Sequence, residues 1–313
     1  MKKRRLGKTN LMVSEIGFGC RSIGGKKTDE NDTIFSNISK EHAEQILKFA
    51  LDSGVNVFDT SDSYSSGRSE IRLGEAIHEH RSEVHIFTKA GTEFLNDSKS
   101  SSRTNLSYDY LLSSLDKSLE RLGTDYVDLF QTHGMPQTQK DIEEIIKTFE
   151  KMKSENKAHF CGISIGNAIS KGLELINYDV VDCLQLSFSL INTEALKELI
   201  PKCYEKNIGI IVNRPLAEGF LGDFTMKKKF SQDDFRSNYS KDKIGNIQEK
   251  LNSIQFLKDL NLPLDKIAIA YILNNPMIST CIPSANSIKQ LSSIIEASEI
   301  KLDSNILSKI NGK

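Results

Sequence analysis

Short apolar runs rich in Val, Ile and Phe recur along the chain, each followed by a longer stretch with apolar residues at helical spacing. The runs fall at 14–19, 55–59, 85–89, 126–133, 159–164, 181–186, 209–214 and 279–284. Helical periodicity covers 41–53, 69–80, 110–123, 141–155, 168–176, 193–207, 247–260 joined to 265–275, and 288–298. In "YLLSSLDKSLERL", Leu111, Leu112, Leu115, Leu119 and Leu122 share one helix face, charge lies opposite, and Gly123 predicts a C-cap.

Eight strands alternating with helices predict a parallel sheet with its helices outside. The count favours a closed (β/α)8 TIM barrel over an open, doubly wound sheet. An open dinucleotide fold would also carry a GxGxxG turn into a helix. Here "GFGCRSIGG" has the wrong spacing and leads into a polar loop. The opening "RRLGKTNLMV" predicts a short N-terminal β-hairpin, turning at "GKTN" and closing the bottom of the barrel. The longer polar connections, 22–40, 92–107 and 217–245, all follow strand C-terminal ends, where a barrel carries its working loops. No composition shift divides the chain, so residues 1–313 are expected to form a single domain.

Composition narrows the function classes. At 313 residues, with 38% hydrophobic and 27% charged positions, the chain reads as a globular protein. A net charge of −1 gives no basic field for nucleic acid or an anionic membrane. The start "MKKRR" runs into a segment too polar for a secretory signal, and no run is long enough to span a bilayer. The five Cys (Cys20, Cys161, Cys183, Cys203 and Cys281) form no CxxC pair. They read as reduced thiols in a cytoplasmic protein, with no metal site.

The C-terminal ends of barrel strands converge on one face. There the sequence sets Asp59, Lys89, His133, Ser164, Gln185 and Arg214, with Tyr64 five residues beyond Asp59 in "FDTSDSY". A Tyr with an ordinary pKa near 10 is a poor acid at neutral pH. A neighbouring ammonium favours the phenolate, and an aspartate keeps that ammonium charged and in place. An imidazole can orient a carbonyl oxygen or join the proton path. The set suits protonation of an oxygen whose carbon receives a hydride. A lyase using Lys89 as a Schiff base needs a neutral amine, which Asp59 opposes.

Four segments, "NVFDTSDSYSSGRSEIRLGEAI", "IFTKAG", "SLDKSLERLGTDYVDLFQTH" and "IIVNRPLAEGFL", resemble the aldo-keto reductases, in order and spacing over nearly the whole chain. The resemblance implies a (β/α)8 barrel binding NAD(P)H without a Rossmann fold, reduction of a carbonyl to an alcohol, and a tetrad of Asp59, Tyr64, Lys89 and His133. Cofactor positions match less completely. Ser164 is kept, but Ile165 takes the place of an Asn that meets the nicotinamide carboxamide, and Asn167 lies two positions late. Gln185 fits the other carboxamide contact. Asn213 or Arg214 takes the place of a stacking aromatic, ahead of Leu216; a guanidinium can also stack on a flat ring. Ser284, Asn286, Lys289 and Gln290 correspond to the adenosine end, where one lysine replaces a stronger cationic pair. NADPH is the expected cofactor, with NADH a second reading. Arg21 stands in a substrate-facing place and suggests a polar or anionic carbonyl compound. The chain has no Trp, where many members of that family line the pocket with indole rings, and the short tail after Leu302 suggests loose specificity. A non-enzymatic or weakly active NADPH-binding redox sensor or accessory subunit on the same fold is the alternative reading.

Overall fold

A computed structural model describes residues 1–25, 38–95, 101–223, 230 and 235–312. Strands β1 (Lys3–Arg5) and β2 (Met12–Ser14) form an antiparallel hairpin. The barrel then runs β3 (Phe18–Gly19), α1 (Lys40–Asp52), β4 (Val57–Asp59), α2 (Arg68–Ile77) and β5 (His85–Ala90). A second hairpin, β6 (Thr92–Phe94) with β7 (Ser102–Thr104), precedes α3 (Tyr108–Leu122), β8 (Val127–His133), α4 (Gln139–Ser154) and β9 (Ala158–Gly166). There follow α5 (Ile169–Leu175), β10 (Cys183–Ser187), α6 (Leu199–Glu205) and β11 (Gly209–Asn213). The chain ends with α7 (Lys241–Ser253), α8 (Leu264–Leu273), β12 (Thr280–Cys281), α9 (Ile288–Glu296) and α10 (Ser304–Ile310).

Eight strands pair in parallel in the order β12, β11, β10, β9, β8, β5, β4, β3. The ring closes because Gly17 N donates to Cys281 O (2.8 Å) and Cys281 N donates to Glu15 O (3.1 Å). With no free edge and helices outside, the architecture is the (β/α)8 barrel that the alternating pattern predicts. Gly123 ends α3 in the left-handed conformation (φ 63°), as its position implied.

The bottom is closed by the N-terminal hairpin. Leu6 and Val13 are fully buried with Val57, Phe87, Leu129, Cys183, Ile211 and Ile282, the apolar filling of the barrel interior. At the turn, a Cβ on Gly7 (φ +54°) would stand 2.2 Å from the Gly209 amide nitrogen, so only glycine lets the plug seat.

Three local differences have physical causes. Residues 92–107 contain the β6–β7 hairpin rather than only loop, because Thr92, Glu93 and Phe94 pair with Thr104, Arg103 and Ser102. The seventh barrel strand stops at Asn213, since Arg214 is turned to φ 51° ahead of Pro215. The helical pattern over 193–207 divides into a short 3-10 turn at Glu194–Leu196 and α6, which holds Pro201 in its first turn. Parts of the polar connections 22–40, 92–107 and 217–245 lie outside the described residues. No described helix is long and apolar enough to cross a membrane.

Candidate active site

Alternation along the strands decides what reaches the barrel axis. Val57, Phe87, Leu129, Cys183 and Ile211 fill the interior, so residues two positions further on face the same way. On those strands they are Asp59, Lys89, Gln131, Gln185 and Asn213, and His133 follows Gln131 by another two. The predicted residues Asp59, Lys89 and His133 therefore share one end of the barrel, and Tyr64 joins them from the loop after β4.

Asp59 and Lys89 are 2% and 1% exposed, and the Lys89 ammonium hydrogen-bonds directly to Asp59 Oδ1. Lys89 Nζ also donates to Thr60 O (2.7 Å). The second carboxylate oxygen accepts from Gln185 Nε2 (2.8 Å) and Gln131 Nε2 (3.3 Å). A buried ion pair persists only when its remaining lone pairs and protons find such partners. Burial pulls the Lys89 pKa down, but the Asp59 charge and the Tyr64 oxygen outweigh it and leave it above the ordinary lysine value. The amine is held as an ammonium, which disfavours Schiff-base chemistry.

The Tyr64 ring centroid lies 5.1 Å from Lys89 Nζ and 5.7 Å from Arg21 Cζ. Its ring meets that of His133 edge-on, 5.9 Å between centroids at 88°. Ser65 (φ 48°), Ser66 (φ 59°) and Gly67 (φ 85°) turn the chain sharply from Tyr64 into α2. Left-handed non-glycine residues cost roughly 1–3 kcal/mol each, a strain typical of functional loops. His133 Nδ1 lies 3.0 Å from Ser61 Oγ and 3.3 Å from Ser63 Oγ. Burial, then the charges of Lys89, Arg21 and Arg214, lower the His133 pKa to about 3, so its ring is neutral near pH 7.

The residues expected to meet a cofactor fall into three neighbouring groups. Ser164 Oγ donates to Gln185 Oε1 (3.3 Å), as does Asn213 Nδ2 (3.2 Å), and Ser187 Oγ donates to Asn213 Oδ1 (2.8 Å). Ile165 is 2% exposed and packs toward Gly172 of α5, while the exposed Asn167 accepts a hydrogen bond from Asn192 (3.0 Å). Next comes the turn after β11. Arg214 stands on the rim, 53% exposed and 3.5 Å from Glu218, and Leu216 O accepts from Gly219 N (2.9 Å). Ala217, Glu218 and Gly219 are all left-handed. A cavity of about 460 Å³ lies between this turn and α7, lined by Ser187, Phe188, Arg214, Glu218 and Lys243 among others.

The third group surrounds the start of α9. Ser284 Oγ donates to Gly19 O (2.8 Å), Asn286 N donates to the Gln290 side chain (2.7 Å), and Gln290 N donates to Ser287 Oγ (3.2 Å). Those two amides are already bonded, and Lys289 beside them is exposed. The donor set fits a nicotinamide dinucleotide. Ser164 keeps open lone pairs for a carboxamide, the left-handed turn offers backbone, and Lys289 offers a cation.

Gln131, Ser61 and Ser63 were not singled out from sequence. Gln131 carried a usable signal, lying two residues before His133 on one strand and hence on the same face. The serine contacts depend on loop geometry that spacing does not encode.

Residues 15–313 match the family described as the aldo/keto reductase family. The chain is 30% identical to the uncharacterized oxidoreductase YqkF of Bacillus subtilis over 96% of its own length and 92% of the relative. It is 26% identical to the NADH-specific methylglyoxal reductase of Escherichia coli, covering 96% and 95% of the two chains. Among solved structures, the holo form of aldo-keto reductase AKR11C1 from Bacillus halodurans superposes with a TM-score of 0.80 at 28% identity, over 100% of this chain and 96% of that one. A barrel carrying this rim, matched to the family from its first barrel strand onward, belongs to the aldo/keto reductase family of oxidoreductases.

Proposed function

We propose that the protein reduces an aldehyde or ketone to an alcohol with a nicotinamide cofactor, Tyr64 giving the proton that the carbonyl oxygen receives. The observation that carries this reading is the buried Lys89 ammonium, 5.1 Å from the centre of the Tyr64 ring and fixed by Asp59. When bound, the cofactor would supply the hydride. As the Tyr64 proton leaves, the Lys89 charge stabilises the phenolate at short range in a site where water screens little. Asp59 keeps Lys89 charged and aimed. The neutral ring of His133 orients the carbonyl oxygen, and it cannot compete as an acid while its proton affinity is this low.

Ser164, Gln185 and Asn213 would hold the carboxamide, Arg214 and Leu216 would border the ring and pyrophosphate, and Ser284, Asn286, Lys289 and Gln290 the adenosine end. NADPH is the expected partner. With Lys289 as the charged contact at that end, NADH is expected to serve as well, and one relative is named as NADH-specific. Arg21, beside Tyr64, would favour carbonyl compounds carrying a carboxylate or phosphate. A sensor without turnover is the weaker reading, because Asp59, Tyr64, Lys89 and His133 are all present in contact range.

The test is a fluorescence titration with NADPH and NADH, followed by loss of the reduced-nicotinamide absorbance with nitrobenzaldehyde. Turnover supports the reductase. Tight cofactor binding with no turnover across a panel of aldehydes would favour the sensor.

A further inference from the structure

Ser61 is completely buried between two titratable side chains. Its Oγ lies 3.2 Å from Asp62 Oδ1 on one side and 3.0 Å from His133 Nδ1 on the other. The same oxygen is 3.0 Å from Lys89 O, 2.9 Å from Ser63 Oγ and 3.3 Å from Ser63 N. A hydroxyl has one hydrogen to give. Lys89 O, which also accepts from Asp62 N, competes for that hydrogen, and the state of Asp62 shifts the balance between the two side chains.

With Asp62 ionised, the charged carboxylate is the strongest acceptor in reach and draws the Ser61 proton. Ser61 then presents a lone pair to His133, which keeps its proton on Nδ1 and leaves Nε2 as an acceptor. With Asp62 protonated, the carboxyl donates to Ser61, Ser61 donates to Nδ1, and the imidazole proton sits on Nε2. Nδ1 is engaged by the serines in both cases. Nε2 is thus the nitrogen left to meet a carbonyl oxygen beside Tyr64, and only the second tautomer can donate to it.

From this geometry we infer that Asp62, acting through Ser61, is a positioning residue that sets the tautomer of His133. The inference rests on the reading of His133 as the carbonyl-orienting group. Asp62 is suited to the task because burial, and then the charge of Glu70, raise its pKa to about 7. The groups facing it are Glu70 on α2, Arg121 and Tyr110 on α3, and the Lys89 carbonyl on β5, which accepts from Asp62 N (3.1 Å). Arg121 is itself engaged with Glu70 (2.6 Å), which limits its pull on Asp62. Ser63 Oγ, at 3.3 Å, is the longer of the two contacts to Nδ1, and Asp62 is met by the Ser63 backbone amide.

Two measurements separate this inference from the reading beneath it. Nitrogen NMR of isotope-labelled histidine, with His133 assigned from its substitution by Asn, reports the tautomer directly in the full-length protein. Across about pH 5 to 9 the wild type is expected to pass from the Nε2–H to the Nδ1–H form, with kcat for reduction falling several-fold over the same range. Asp62→Asn and Ser61→Ala should each abolish the tautomer change, whereas Ser63→Ala should keep it. A His133 tautomer constant with pH in the wild type, or still changing in folded Asp62→Asn, overturns the coupling. A tautomer that switches while kcat stays flat would support the coupling and contradict the carbonyl-orienting role of His133.

Discussion

Gln185 donates from Nε2 to Asp59 Oδ2 across 2.8 Å, while its Oε1 accepts from Ser164 and Asn213. One amide therefore joins the side chains expected to hold a cofactor to the carboxylate that fixes Lys89. Replacing Gln185 with Leu should strip Asp59 of its shorter amide partner and leave Gln131, at 3.3 Å, as the amide bonded to that oxygen. An under-bonded buried acceptor costs about 1–3 kcal/mol. Thermal unfolding should show that loss, and both kcat and cofactor affinity should fall. A variant losing affinity alone would mean that the link to Asp59 is idle.

Lys89 and Asp59 are buried as a pair, so removing one partner should hurt more than removing both. Lys89→Met leaves an unpaired buried carboxylate, a change worth about 3–5 kcal/mol. The double variant Asp59→Asn with Lys89→Met should regain much of that stability and none of the activity. Denaturant unfolding of the single and double variants checks this directly.

Protonation of Asp62 gives a stability signature of known sign. Its folded pKa, about 7, stands above its unfolded value near 4, so the fold binds a proton more tightly than the unfolded chain across that interval. The stability it contributes is complete below about pH 4 and is lost as pH rises through about 7. Asp62→Asn should therefore raise the melting temperature relative to wild type above that pH, with the gain disappearing toward pH 4. A gain independent of pH would contradict the assignment.

Arg21 faces Tyr64 from the first barrel loop. Arg21→Ala should raise KM about tenfold, or about 1.4 kcal/mol, for aldehydes bearing a carboxylate or phosphate, and leave neutral aldehydes nearly unchanged. An equal effect on both classes would place Arg21 in general packing.

Much of this site was legible before any coordinates because a barrel converts sequence order into geometry. The alternation that put Val57 inside also put Asp59 inside, and the same rule carried Lys89, His133 and Gln185 to one rim. The hairpin plug was readable from the turn "GKTN", although only packing revealed that Gly7 has no room for a side chain. What escaped depends on backbone turns rather than period. The left-handed run at Ser65 and Ser66, the approach of Ser61 to His133, and the exit of Arg214 to the rim are set by loop closure. No spacing of residue types announces them.

The central claim concerns the Tyr64 hydroxyl, and the most direct measurement pairs single-turnover reduction with cofactor titration for Tyr64→Phe. The ring and its contacts with Lys89 and His133 are retained, and only the proton source is removed. Cofactor affinity should stay within about twofold while the rate drops by about 100-fold or more, the usual worth of a general acid. Reduction as fast as wild type by the Phe variant would contradict the account.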